Sequence, residues 1–389
     1  QTCALPISIL ISFILIGLSG FVLYIYKYKK QVPANEEEPK TEQKVPVQKN
    51  KKQKENIKKQ NPKKQVPIAL PTAEKVINLG NTTPLSLKFD PNNGCFYVTT
   101  QNRYIFIYKD IAIENGGNTA QRINFKEDKA FDCDVYSADG KSYIVLALDR
   151  TNKIVSYEIS PESGKLKEGN ILIEKASNLV VQKVAVSKDG KFVSVLGDET
   201  FLRVFHPNGN SLFCKDTSQM HNYEIGVSSN SELIAVSSFT SEVVVYGVER
   251  DKNDIPNKVV KTFTLAEHKN SIVTLDFSKK NLLVATGGKD CRYCVWLAPS
   301  RWREEDIPRL QYSGTIKERI SFVRINTVDD TLAVIAEGNK LYFCRKEGIV
   351  KTVEVAHNHD ISIAQWSTDG KWILVGSSTS QFIYAYANP

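Results

Sequence analysis

One motif returns seven times between residues 84 and 388: an apolar strand, a polar turn, a second apolar strand, a short turn and a third apolar strand. The copies occupy Pro84–Asp110, Phe131–Ser160, Val181–Gly209, Glu224–Glu249, Ser271–Ala298, Ile320–Lys346 and Ile361–Asn388. A repeat of roughly 40–50 residues built from strands alone constrains a chain strongly, because each unit must bury its apolar faces against its neighbours. The strands alternate or run apolar, the pattern of strands covered on both faces. Asp139-Gly140, Asp189-Gly190 and Asp369-Gly370 place residues tolerant of positive φ at the first turn of three copies.

Three strands per copy leave each sheet one short of a four-stranded blade. The connecting segments, such as Val259–Leu265 and Val350–Val355, supply the fourth. No connection follows the seventh copy, but Lys75–Leu79 (KVINL) precedes the first and fills that place. Pairing the two ends would close the ring and remove its exposed edge. The expectation is an all-β fold, a seven-bladed β-propeller over 73–389. Its blades lie at about 84–110, 131–160, 181–209, 224–249, 271–298, 320–346 and 361–388, and residues 74–80 close the last.

A different composition precedes the repeats. Residues 7–26, ISILISFILIGLSGFVLYIY, carry no charge and are long enough to span a hydrocarbon core of ~30 Å as one helix. Tyr24, Tyr26 and Tyr28 sit at one end, and Lys27, Lys29 and Lys30 follow. A single N-terminal transmembrane helix is therefore expected, with the lysine side and everything after it cytosolic. Residues 1–6 precede it; Gln1–Ile7 matches the translation of a sequencing-adapter end, CAG ACG TGT GCT CTT CCG ATC, so 1–6 read as non-native.

Residues 27–72 read as a disordered, Lys-rich stalk that cannot bury enough apolar surface to fold alone. Thirteen lysines against five acidic residues over 27–65 account for the whole net charge of +8. Lys51, Lys52, Lys54, Lys58, Lys59, Lys63 and Lys64 are candidate contacts to anionic lipid or to RNA. The repeats themselves are formally neutral, without the overall basic footprint of a dedicated DNA-binding domain. Seven cysteines without regular spacing fit unpaired thiols in a reducing compartment, and the presence of only one sequon, Asn81-Thr82-Thr83 followed by Pro84, speaks against a lumenal globular part.

The repeats resemble the WD40 family. His268, Asp290 and Trp296 of the fifth copy fall where that family places a hydrogen-bonded network that stiffens one blade. Elsewhere the closing Trp-Asp pair becomes Tyr108-Lys109, Phe205-His206, Tyr246-Gly247 or Phe343-Cys344. The stretches QMHNYEIGVS (219–228), VVKTFTLAEHKNSIVTLDFS (259–278), REEDIPRLQYSG (303–314) and VAHNHDISIAQWSTDGKWIL (355–374) are similar to a membrane-anchored branch of that family in the endoplasmic reticulum. That resemblance implies a protein-interaction scaffold in stress signalling or translational control, with a stress kinase of that membrane or the translation machinery as partner. A membrane-tethered RNA- or ribosome-binding protein acting through the stalk is the alternative.

No catalytic constellation is visible, and the chain reads as a binding platform and not an enzyme. G-x-S-x-G, G-x-x-x-x-G-K-[ST] and H-E-x-x-H are absent. Cys291-x-x-Cys294 is expected within one strand, its side chains on opposite faces, and no second ligand pair follows. His357 and His359 sit where the family has a structural His. No metal, cofactor or small-molecule substrate is expected. The long insert Pro299–Gly314 holds a candidate partner-binding loop, Arg301, Trp302, Arg303, Glu304, Glu305 and Arg309, because Trp and Arg recur at interface hot spots. Packing of Trp302 on a neighbouring blade is the competing role.

Overall fold

Seven four-stranded antiparallel sheets make up the computed structural model, which describes residues 73, 75–109, 121–125, 128–160, 163, 165–176, 180–356 and 360–389. The apolar run 7–26, the lysine stalk and His357–His359 lie outside the described residues. Among the described residues no helix is long and apolar enough to cross a membrane.

Blades 1 to 6 occupy 84–124, 130–173, 181–216, 222–265, 272–315 and 320–354. Blade 7 takes three strands from the end of the chain, Ile363–Trp366, Trp372–Gly376 and Phe382–Ala387, and its fourth from Lys75–Asn78. Lys75 pairs with Ala385 and Asn78 with Phe382. The first strand of every blade contacts the first strands of the blades on either side, and blade 7 contacts blade 1, so the ring closes on itself.

The core lies between blades. Second strands such as Val193–Gly197 and Leu332–Ala336 are buried along their whole length. Their two faces pack on different neighbours, which is why they read as continuous apolar runs. One interblade cluster joins Leu233, Val243 and Val245 of blade 4 to Leu275, Phe277 and Trp296 of blade 5.

Six of the seven first strands slip register by one residue near their start, as between Asn222 and Glu224 or Ile272 and Thr274. Such bulges bend and twist a strand and re-aim the side chains that follow. Here Ser86, Asp132, Lys183, Glu224 and Phe322, which follow the slips, line one polar stretch of the central channel.

Antiparallel connection gives the ring two distinct faces. Turns between first and second strands lie on one, here the turn face. Loops leading into first strands and turns between second and third strands lie on the other, the incoming face. On the turn face, Asp139 (φ 52°) and Gly140 (φ 72°) form a two-residue hairpin turn. Gly190 (φ 69°) is required for space as well, since a Cβ there would sit 2.3 Å from the Tyr136 ring.

The expectation that Cys291 and Cys294 share a strand is corrected. Cys291 occupies a left-handed turn position, φ 63°, one residue before the strand Arg292–Leu297. The Asp290-Cys291 pair is needed to reverse the chain, so the strand begins later than its apolar pattern implied. The six described cysteines are unpaired, and Cys95, Cys133, Cys294 and Cys344 are buried.

Candidate functional site

Blade 5 brings His268, Asp290 and Trp296 together through a fourth residue, Thr286. His268 Nδ1 lies 3.0 Å from Asp290 Oδ1, and its Nε2 lies 2.9 Å from Thr286 Oγ1. Trp296 Nε1–H donates to that same hydroxyl at 3.3 Å. The donors resolve into one chain: Trp296 N–H to Thr286, Thr286 O–H to His268 Nε2, and His268 Nδ1–H to the Asp290 carboxylate, which also accepts the Lys269 N–H at 2.8 Å. This order needs a neutral imidazole. Burial lowers the His268 pKa from its ordinary value, and the nearby Asp290 only partly opposes that. Gly288 leaves room for the pair, since a Cβ there would stand 2.6 Å from Asp290 Oδ1.

This network braces the blade. Replacing His268 with glutamine is expected to cost about 1–3 kcal/mol, the range for stranding buried partners. The folded His268 binds its proton less readily than the unfolded one. The wild type should therefore lose stability as pH falls below about 6.5, where the unfolded imidazole protonates first. That part of the pH dependence should be missing from the variant in denaturation curves taken at pH 7.5 and 5.5.

Trp302 is not presented to a partner. It is 6% exposed, on the one-turn 3-10 helix Trp302–Glu304, and its ring packs on Gly247 of blade 4. Arg303 covers the ring at 4.2 Å and donates to Glu232 Oε1 (3.2 Å) and to the Val248 carbonyl (3.3 Å). The partner-binding expectation is thereby corrected for Trp302, since the missing side chain at Gly247 leaves a slot that the insert fills; Arg303 keeps 46% of its side chain exposed. Arg301, Glu304, Glu305 and Arg309 stay exposed; Arg301 pairs with Glu304 at 3.3 Å and Arg309 with Asp306 at 4.0 Å. Exposed pairs of this kind contribute little.

An exposed aromatic patch lies elsewhere, on the incoming face between blades 4 and 5. Met220 is 77% exposed and Phe239 44% exposed. The Tyr223 ring lies 4.9 Å from the His221 ring and 6.5 Å from the Phe239 ring. Lys289 projects over both, 5.6 Å from Tyr223 and 5.3 Å from Phe239. Three separate loops build this surface, so no single stretch of sequence announces it. Part of the signal was present, since Met220, His221 and Tyr223 belong to the stretch 219–228.

The channel carries an ionic clamp. Arg324 Nη2 donates to Glu224 Oε1 (2.7 Å), Nε to the Ala364 carbonyl (2.9 Å) and Nη1 to Thr274 Oγ1 (3.3 Å). One guanidinium of blade 6 thus ties blades 4, 5 and 7. Among the described residues no group of three His, Cys, Asp or Glu could hold a metal ion, and His357 and His359 lie outside them.

Comparison with known proteins matches residues 258–296 to the family "WD domain, G-beta repeat". The chain is 25% identical to human transducin beta-like protein 2 over 135 residues, covering 35% of this chain and 30% of that protein. It is 22% identical to the mouse transducin beta-like protein 2 over 194 residues, covering 49% and 44%. The aligned stretches thus span less than half the length of either relative. A chain of a solved structure described as "Crystal Structure of Mitotic Checkpoint Complex" superposes with a TM-score of 0.59 at 12% identity, over 81% of this chain and 95% of that one. That likeness is of fold alone.

Proposed function

We propose, from the premise that this chain belongs to the WD40-repeat family, that it is a protein-interaction scaffold held at the cytosolic face of the endoplasmic reticulum membrane and acting in stress signalling or translational control. Propellers of this family are typically non-catalytic platforms for other proteins. The observation that carries the reading is the patch of Met220, Tyr223 and Phe239 with Lys289 beside it. Aromatic rings and a Met thioether offer large, adaptable apolar contact, and the ammonium adds selection for acidic groups. The fitting partner is a protein segment with an aliphatic side chain next to a carboxylate.

Tethering rests on the uncharged run 7–26, and orientation on the lysines that follow it. The organelle and the pathway rest on the resemblance of the C-terminal half.

The test joins proximity labelling from a C-terminal tag with protease treatment of that tag in intact microsomes. The tag should be digested, and stress-signalling or translation proteins should be labelled. Changing Met220 and Phe239 to aspartate should weaken partner binding roughly thirty-fold, the scale of losing a hot spot, without lowering the unfolding temperature. A protected tag would overturn the orientation. Unchanged labelling by the variant would overturn the patch. Labelling lost on deleting residues 44–64, and falling steeply with salt, would favour the RNA- or ribosome-binding alternative.

A further inference from the structure

Basic side chains from alternate blades meet at the turn-face mouth of the channel. Lys88 of blade 1, Lys188 of blade 3 and Lys279 of blade 5 border one cavity of about 400 Å³. The lysines reach the mouth for a local reason. Lys188 and Lys279 stand one residue after Ser187 and Ser278, at the same point of the first turn in their blades, while Lys88 lies within its first strand.

Asp134 is the carboxylate on this cavity, and it is already engaged. It lies 3.5 Å from Lys88 Nζ and accepts the Val186 N–H at 2.9 Å. Neither Lys188 nor Lys279 makes an ion pair among the described residues. Deeper in the channel, Asp276 accepts the Ile325 N–H at 2.8 Å, and Arg324 is held by Glu224. The three ammonium groups outnumber the nearby carboxylates Asp134 and Asp276 and repel one another. The effect shows at Lys279, whose pKa is lowered to about 7, first by the charge of Lys188 and then by burial, with Lys88 adding and Asp276 and Asp134 opposing.

We infer that the turn-face mouth of the channel is a binding site for a compact polyphosphate, such as an inositol polyphosphate, held by Lys88, Lys188 and Lys279. Ammonium groups arriving from three sides of one opening suit a small body with several anionic oxygens, each taking a charge-assisted hydrogen bond. A phosphorylated side chain offers a single phosphate, whereas a polyphosphate sets several anionic groups around one small ring and matches charges that come from three blades. The site lies on the opposite face from the Met220–Phe239 patch and is independent of it.

The experiment is titration calorimetry on the detergent-solubilised full chain, with inositol hexakisphosphate as probe. One tight site is expected. Changing Lys188 and Lys279 to glutamine should cost roughly tenfold in affinity for each lysine, while thermal stability holds or rises because repulsion is relieved. Glutamine at the stalk residues Lys51, Lys52, Lys54, Lys58, Lys59, Lys63 and Lys64 should leave the tight site in place. With inositol hexasulfate, whose charge does not change with pH, affinity should fall as pH rises above about 7, where Lys279 loses its proton in the empty site. Equal binding by the Lys188/Lys279 double variant would overturn the inference, as would loss only in the stalk variant. Preference for a singly phosphorylated peptide over the hexakisphosphate would also overturn it.

Discussion

Replacing Trp302 with alanine is expected to lower the stability of the propeller by about 3–5 kcal/mol, the cost of emptying a buried tryptophan site. The site cannot collapse easily. Its floor is the backbone of Gly247, which a side chain would block, since a Cβ there would lie 2.4 Å from Trp302 Cζ3. Its lid is Arg303, fixed by Glu232 and the Val248 carbonyl. The indole N–H has no acceptor among the described residues. Phenylalanine at 302 should therefore retain much of the stability, because it keeps an aromatic ring and removes a buried donor without a partner. Chemical denaturation of the two variants reads both effects. An alanine variant within about 0.5 kcal/mol of wild type would mean that the ring is not packed as described.

The second large effect belongs to Arg324. Changing it to alanine should cost about 3–5 kcal/mol near neutral pH, because Glu224 is left charged and buried without its cation. The side chains of Arg324 and Glu224 are only 11% and 13% exposed. Burial pushes the Glu224 pKa up, but Arg324, helped by Lys183 and Thr274, holds it below the usual carboxylate range. In the wild type this contribution is present above the unfolded pKa, about 4.3, and is lost as pH falls below it. In the alanine variant burial acts with the arginine's opposition removed, so protonation relieves the stranded carboxylate. The deficit should then shrink on acidification from pH 7 to pH 5. Changing both residues to methionine should recover much of the loss, as replacing both members of a buried pair often does. A deficit that stays constant across that pH range would show that Glu224 is not the stranded group.

The fold was legible because strand pattern and turn chemistry repeat. The seven copies, the Asp-Gly turns and the supply of fourth strands all follow from period and alternation. The sites were legible only where one short stretch carries them. His268, Asp290 and Trp296 were visible as family positions, but Thr286, which joins them, looks like any polar residue in a strand. Trp302 was visible as a residue type, yet its role depends on Gly247, 55 positions earlier, and on the slot which that glycine opens. The aromatic patch, the Arg324 clamp and the three channel lysines are assembled from different blades. The packing of blades side by side around the channel makes them neighbours, and no local pattern records that.

The most direct test of the scaffold reading is photo-crosslinking in cells. A benzophenone amino acid would replace Phe239, within the patch, and in a separate protein Ile307, an exposed apolar residue of the insert. The expected result is a discrete protein adduct from position 239 that disappears when Met220 is changed to aspartate, with none from position 307. Adducts from 307 but not from 239, or none from 239 while the propeller stays folded, would contradict the account.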